Sequence, residues 1–123
     1  MPPTPHDAAR LYDMVQAAEV IARYLQGRRR DDLDHDAMLR DALERRIEIS
    51  GEAARGLSTA LPHATPEIPW RKIIAFRNIL AHEYDEINDD ILWRIATTYV
   101  PETAAKIRPL VPPTDTDSGA AWQ

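Results

Sequence analysis

The sequence predicts an all-α fold, an antiparallel helical bundle that forms a homodimer. Two observations carry the bundle. Apolar residues recur at three- and four-residue intervals along four separate stretches, and nothing alternates with a period of two. Short polar, proline- or glycine-containing connections separate those stretches, as they do in bundles of neighbouring antiparallel helices. The length, 123 residues, suits one domain with one core. That domain is expected over residues 4–111, with residues 112–123 as a flexible tail in which Trp122 is out of place.

Each helix has a start or stop signal. Thr4 caps the first, Pro5 takes its first position, and Asp7 completes a capping box. Leu11, Val15, Ala18, Ala22 and Leu25 form its apolar stripe, and Gly27 with the run RRRDD ends it. A second helix is predicted from Asp36 to Ala60, with Leu39, Leu43, Ile47, Ser50, Ala54, Leu57 and Leu61 on one face. Gly51 lies in its middle, where glycine costs about 1 kcal/mol against alanine, so a close approach by another helix is expected there. The stretch LPHATPEIPW reads as a stiff loop. A third helix starts near Pro69 and carries WRKIIAFRNILAH. Asn88 caps a fourth, with Asp89 and Asp90 in its first turn and Ile91, Leu92, Ile95 and Tyr99 on its buried side. Pro101 is expected to kink or break that helix.

Composition excludes several functions. The chain has no cysteine, so disulfides, thiolate metal sites and cysteine nucleophiles are ruled out. No run approaches a membrane span or a signal peptide, and a cytoplasmic protein is the expectation. The net charge is −5, so any contact with nucleic acid has to come from a local basic patch. The candidates are Arg28–Arg30, Arg45 with Arg46, and Arg71 with Lys72.

The third helix holds an anomaly. On a helical wheel Arg77 falls inside the apolar arc of Trp70, Ile73, Ile74, Leu80, Ala81 and Tyr84. A buried arginine needs a partner. It can snorkel, pair with Glu44, Glu48 or Glu52, or line a cleft or subunit interface and await an anion. Asn78 and His82, four residues apart, share a face, whereas Arg77 and His82 are separated by about 140° on an ideal helix. Either the helix deforms near His82, or the site joins two copies of the chain. The second is the expectation, with the two third helices facing each other.

Arginine, asparagine and histidine suit phosphate chemistry. Guanidinium grips phosphate oxygens through two parallel bonds, histidine moves protons near neutral pH, and asparagine donates to a phosphoryl oxygen. These groups suffice for RNA cleavage by the 2′-hydroxyl, with no metal and no cofactor. The other histidines, His6, His35 and His63, show no metal-ligand spacing.

The segment RNILAHEY resembles the signature of HepT-type HEPN proteins: arginine and asparagine (Arg77, Asn78), then histidine, any residue and tyrosine (His82, Tyr84). ERRIEISGEAARGLS, with Gly51, Glu52 and Ala53, is similar to that family's second helix, and PEIPWRKIIAFRN to its lead into the motif helix. The likeness runs from about Leu11 to Leu110. It implies the toxin of a type VII toxin–antitoxin module, a homodimeric endoribonuclease whose paired motifs build one cleft. Catalysis would fall to His82 as general acid/base, Arg77 as the group that stabilises the charged phosphorus, and Asn78 as a positioning residue. The implied partners are an RNA substrate and a MntA-like minimal nucleotidyltransferase antitoxin, in a hetero-oligomer, with no membrane and no DNA. Tyr84 would accept AMP from that antitoxin, placing a phosphodiester near Arg77. The alternative is a non-catalytic regulatory or scaffold subunit that binds the nucleotidyltransferase.

Overall fold

A computed structural model of the chain describes residues 3–82 and 89–113; of residues 79, 81 and 82 it describes the backbone alone. All regular elements among the described residues are helical. They are α1 (Pro5–Leu25), α2 (Ala37–Arg55), α3 (Ala60–Ala64), α4 (Trp70–His82), α5 (Asp89–Arg94) and α6 (Val100–Ile107). Short 3-10 turns at Arg30–Asp34 and Arg108–Leu110 add to these, and a π-helical turn, Ile95–Tyr99, joins α5 to α6.

Two apolar clusters define the bundle. One gathers Ile21, Leu43, Ile47, Leu80, Leu92 and Ile95; the other gathers Leu11, Met14, Ala54, Trp70, Ile73 and Ile107. Each long helix passes from one cluster to the other. α1 and α4 run one way, while α2 and the α5–α6 arm run back, which is the expected antiparallel arrangement. A fully buried leucine or isoleucine contributes roughly 1.5–3 kcal/mol, so these clusters dominate the stability. A void of about 30 Å³, lined by Met14, Ile73, Phe76, Tyr99 and others, lies between them.

The local signals hold in part. The Thr4 side chain accepts from the Asp7 amide at 3.1 Å, as a cap should. Asp7, however, does not close a capping box. Its buried carboxylate turns away and accepts from both the amide and the hydroxyl of Ser58. This clasp fixes the start of α1 to the end of α2, and His6 adds a bond from Nε2 to the Gly56 carbonyl at 2.6 Å. Burial pushes the Asp7 carboxyl up, but the bonds from Ser58, the neighbouring His6 and the Thr4 contact together hold it below the ordinary aspartate value. Gly27, at φ +74°, provides the left-handed residue that closes α1.

Further expectations need correction. The α1 stripe passes through Ile21 rather than the exposed Ala22, because a 3.6-residue period drifts off a strict seven-residue repeat and the larger apolar side chain takes the core. Helix α2 ends at Arg55, not Ala60, since Gly56 caps it and the Asp7 clasp draws Ser58 out of the helical path. The supposed loop after it contains α3, in which Pro62 sits in the first turn. Ile91 is exposed, because Leu92, Ile95 and Ala96 take the inward face of that arm.

Of the two outcomes expected at Pro101 the break does not occur, and the helix is instead deformed just before it. The π turn precedes it, with the Val100 amide reaching back to the Ile95 carbonyl, and Pro101 then occupies the first turn of α6. Asp89 and Asp90 stand in the first turn of α5 as expected. The proposed cap Asn88 lies outside the described residues, as does the tail from residue 114 onward with Trp122.

Candidate functional site

The site is built where α2 crosses α4. A Cβ added to Gly51 would fall 2.1 Å from the Arg77 Cβ and 2.8 Å from its Cγ. Non-bonded carbons do not sit that close, so the absent side chain is what lets the root of Arg77 lie against α2. The glycine expected to mark a close approach does so, and the residue it admits is the anomalous arginine.

Arg77 is then held at its far end. One terminal nitrogen lies 2.9 Å from a carboxylate oxygen of Glu52, and the other donates to Asn78 Oδ1 at 3.1 Å. Of the three glutamates proposed as partners, Glu52 makes the pair. Guanidinium has only donors, so the Asn78 oxygen must face it, which leaves the amide nitrogen of Asn78 as the outward donor. The Arg77 side chain is 22% exposed while Glu52 is 62% exposed, so the pair sits at the rim of the bundle and not inside it.

That rim is an open cleft of about 350 Å³. Its lining alternates in charge: Arg10 and Asp13 from α1, Arg45, Glu48, Ile49, Glu52 and Ala53 from α2, and Arg77 from α4. Arg45 belongs to one of the basic clusters singled out in the sequence. Arg10 was missed. It has no signal of its own in the sequence; the antiparallel pairing of α1 with α2 brings it to the cleft.

The other basic candidates go elsewhere. Arg28 pairs with Asp36 at 3.0 Å, and Arg30 with Asp34 at 3.0 Å and Asp90 at 2.6 Å. Hydrogen bonds to Asp90 and then Asp34 push the Arg30 guanidinium above its ordinary value. Lys72 lies over the Tyr99 ring, 4.4 Å from its centre. Arg71 is exposed and lines a separate cleft with Pro66 and Trp70.

The lead into α4 is fixed by a short chain of bonds. Trp70 Nε1 donates to Thr65 Oγ1 at 3.0 Å, and that hydroxyl donates to the Leu61 carbonyl at 2.8 Å. With Ile68 buried beside it, this anchors the start of the helix that carries Arg77 and Asn78. His82 closes α4 by its backbone, and its side chain is not described; Tyr84 lies outside the described residues. On α2, burial raises the Glu44 carboxyl above the ordinary glutamate value despite the nearby Arg40, with Asp41, Glu48 and Asp89 adding to the rise. Among the described residues no three histidine, aspartate or glutamate side chains converge to hold a metal ion. Among the same residues no helix is long and apolar enough to cross a membrane.

Comparison with known proteins identifies the family. The family described as "Ribonuclease HepT-like" matches residues 14–110. The chain is 30% identical over 97 residues to "Putative RNase MJ1380" of Methanocaldococcus jannaschii, covering 79% of this chain and 89% of that protein. It is 29% identical over 100 residues to "Probable ribonuclease HepT" of Thermococcus cleftensis, covering 81% and 91%. It is 28% identical over 101 residues to "Putative RNase TTE0752" of Caldanaerobacter subterraneus subsp. tengcongensis, covering 82% and 90%. No solved structure matches the chain.

Proposed function

This chain belongs to the HepT-like ribonuclease family, and we propose that it is the toxin of a type VII toxin–antitoxin module, a metal-independent cytoplasmic endoribonuclease. One observation supports this most. Arg77, the arginine of RNILAHEY, is seated by a glycine, steadied by Glu52 and Asn78, and placed on an open cleft. A guanidinium so held needs little reorganisation to receive a phosphate.

In this reading the ribose 2′-oxygen attacks the adjacent phosphorus. The new P–O2′ bond forms as the P–O5′ bond breaks, leaving a 2′,3′-cyclic phosphate and a free 5′-hydroxyl. His82 takes the 2′ proton, and a second histidine, from another copy of the chain, protonates the departing 5′-oxygen. Arg77 stabilises the extra charge on the five-coordinate phosphorus, and the Asn78 amide nitrogen donates to a phosphoryl oxygen. In this reading a homodimer supplies both histidines, and the angular separation of Arg77 and His82 on one ideal helix favours a site shared by two copies over a deformed helix. A MntA-like nucleotidyltransferase would silence the site by moving AMP from ATP to the Tyr84 oxygen, with pyrophosphate leaving.

The test is cleavage of RNA in chelator by protein of confirmed unmodified mass, beside Arg77→Ala and His82→Ala. Cleavage by wild type alone is expected. Absence of cleavage by a folded, unmodified dimer would transfer the reading to a regulatory subunit of the nucleotidyltransferase. The antitoxin with ATP should label wild type and spare Tyr84→Phe; equal labelling would overturn the Tyr84 assignment.

A further inference from the structure

We infer that Arg10 and Arg45 form a phosphate track that carries flanking backbone of a single-stranded RNA through the Arg77 cleft; this rests on the ribonuclease reading. The two arginines share the cleft with Arg77 but come from α1 and α2, outside the motif. Both are loosely paired. Arg10 reaches Asp13 only at 3.9 Å, and Arg45 reaches Glu48 only at 3.8 Å. Exposed pairs at such distances contribute roughly 0–1 kcal/mol, so a phosphate can replace the carboxylate at little cost.

Arg10 carries a further sign of unused capacity. Its Nε is buried and finds no acceptor among the described residues. The same atom lies 3.1 Å from where a Gly56 Cβ would stand, so the stem is pinned at the end of α2. The terminal nitrogens project from a fixed base, and among the described residues their ion pair, with Asp13, is at the limit of contact. A guanidinium anchored at its root with its fork unfilled is suited to bidentate phosphate binding. Arg45 is the complement, a cation whose side chain is 70% exposed.

The acids Asp13, Glu48 and Glu52 make the cleft neutral as a whole, which fits the net charge of −5. Such a cleft draws in RNA weakly from a distance and holds it by local exchange of partners. The ligand is therefore a strand long enough to reach Arg77 and both flanking arginines, and a mononucleotide would be held poorly.

The test measures binding of a fluorescent single-stranded oligoribonucleotide across a salt series, in the non-cleaving His82→Ala background. Arg10→Gln/Arg45→Ala should weaken binding about tenfold, the worth of two exposed charge contacts. It should also lower the salt slope by about 1.4, or 0.7 per lost phosphate contact. Mononucleotide binding should be unaffected. Arg71→Ala, which removes a charge outside the cleft, should bind like the parent. Arg45→Glu alone, at an exposed position that leaves folding intact, should weaken binding further than Arg45→Ala. Equal losses in Arg71→Ala and the cleft variants would overturn the track in favour of general electrostatics. Unchanged RNA binding with a weakened dimer would overturn it in favour of a second copy of the chain. A parent that neither binds nor, with His82 restored, cleaves RNA would take down the ribonuclease reading and the track together. A parent that binds while both cleft variants match it would remove the track alone.

Discussion

Arginine is used differently at the two ends of α2. Near its start, Arg28, Arg30 and Arg40 are tied to Asp36, to Asp34 and Asp90, and to Asp89, knitting the 3-10 turn and α5 to the bundle. From its middle to its end, Arg45 and Arg10 sit in an open cleft with carboxylates at the edge of contact, and of the cleft's arginines Arg77 is the one firmly held. Charge alone does not separate the two regions, since acids are present in both. The distances do. Tight pairs join elements of the fold, whereas loose pairs around one fixed guanidinium leave donors for a ligand.

The contrast is most exposed to test at Arg77. Arg77→Lys keeps the charge and loses the planar fork, so the rate of RNA cleavage should fall about 10²–10³-fold with little change in Tm. Near-normal cleavage would place Arg77 with the structural arginines. Gly51→Ala should come next. The added methyl gains about 1 kcal/mol of helix propensity but forces two root carbons apart, and overpacking costs about 1–3 kcal/mol. A Tm several degrees lower, together with reduced cleavage, is expected; an unchanged protein would show that the crossing is not tight.

Asp7→Asn probes the clasp between α1 and α2. Its carboxyl lies below 3.8 in the folded chain, so its stabilisation is present above that pH and is lost as the pH falls through the lower folded value. At neutral pH the variant should melt a few degrees below wild type, since a bond to a charged group contributes about 1.5–3 kcal/mol. The gap should narrow as the pH drops below 3.8, and a constant gap would assign the loss to packing instead. The smallest effect is expected for Arg30→Ala: a slight fall in Tm that vanishes in high salt, with cleavage per molecule unchanged. A marked loss of cleavage there would erase the distinction between the two ends.

Much of this was legible in the sequence because it is local. The Thr4 cap, Gly27 at the end of α1, the acidic start of α5 and the apolar period of α4 each depend on neighbours within a turn or two. Arg77 stood out because it broke that period, and Gly51 because a glycine inside a helix needs a reason. What stayed hidden depends on residues far apart in the chain. Ser58 is taken from α2 by Asp7, about fifty residues earlier. Glu52 was one of three equivalent partners until the α2–α4 register was known. Arg10 had no signal of its own, because only the packing of α1 on α2 brings it to the cleft.

The π turn at Ile95–Tyr99 has a consequence for how this arm tolerates changes in length. On a straight α-helix, Ala104 and Ile107 would point about 100° away from the face shared by Leu92, Ile95 and Ala96. All five are nevertheless buried, because the wide turn absorbs one residue without advancing the screw. The turn is thus a phase corrector, equivalent to one inserted residue. Removing a single residue from it should restore an ordinary helix and leave the downstream face aimed at the core. The same deletion within Val100–Ile107 should swing Ile107 out into water.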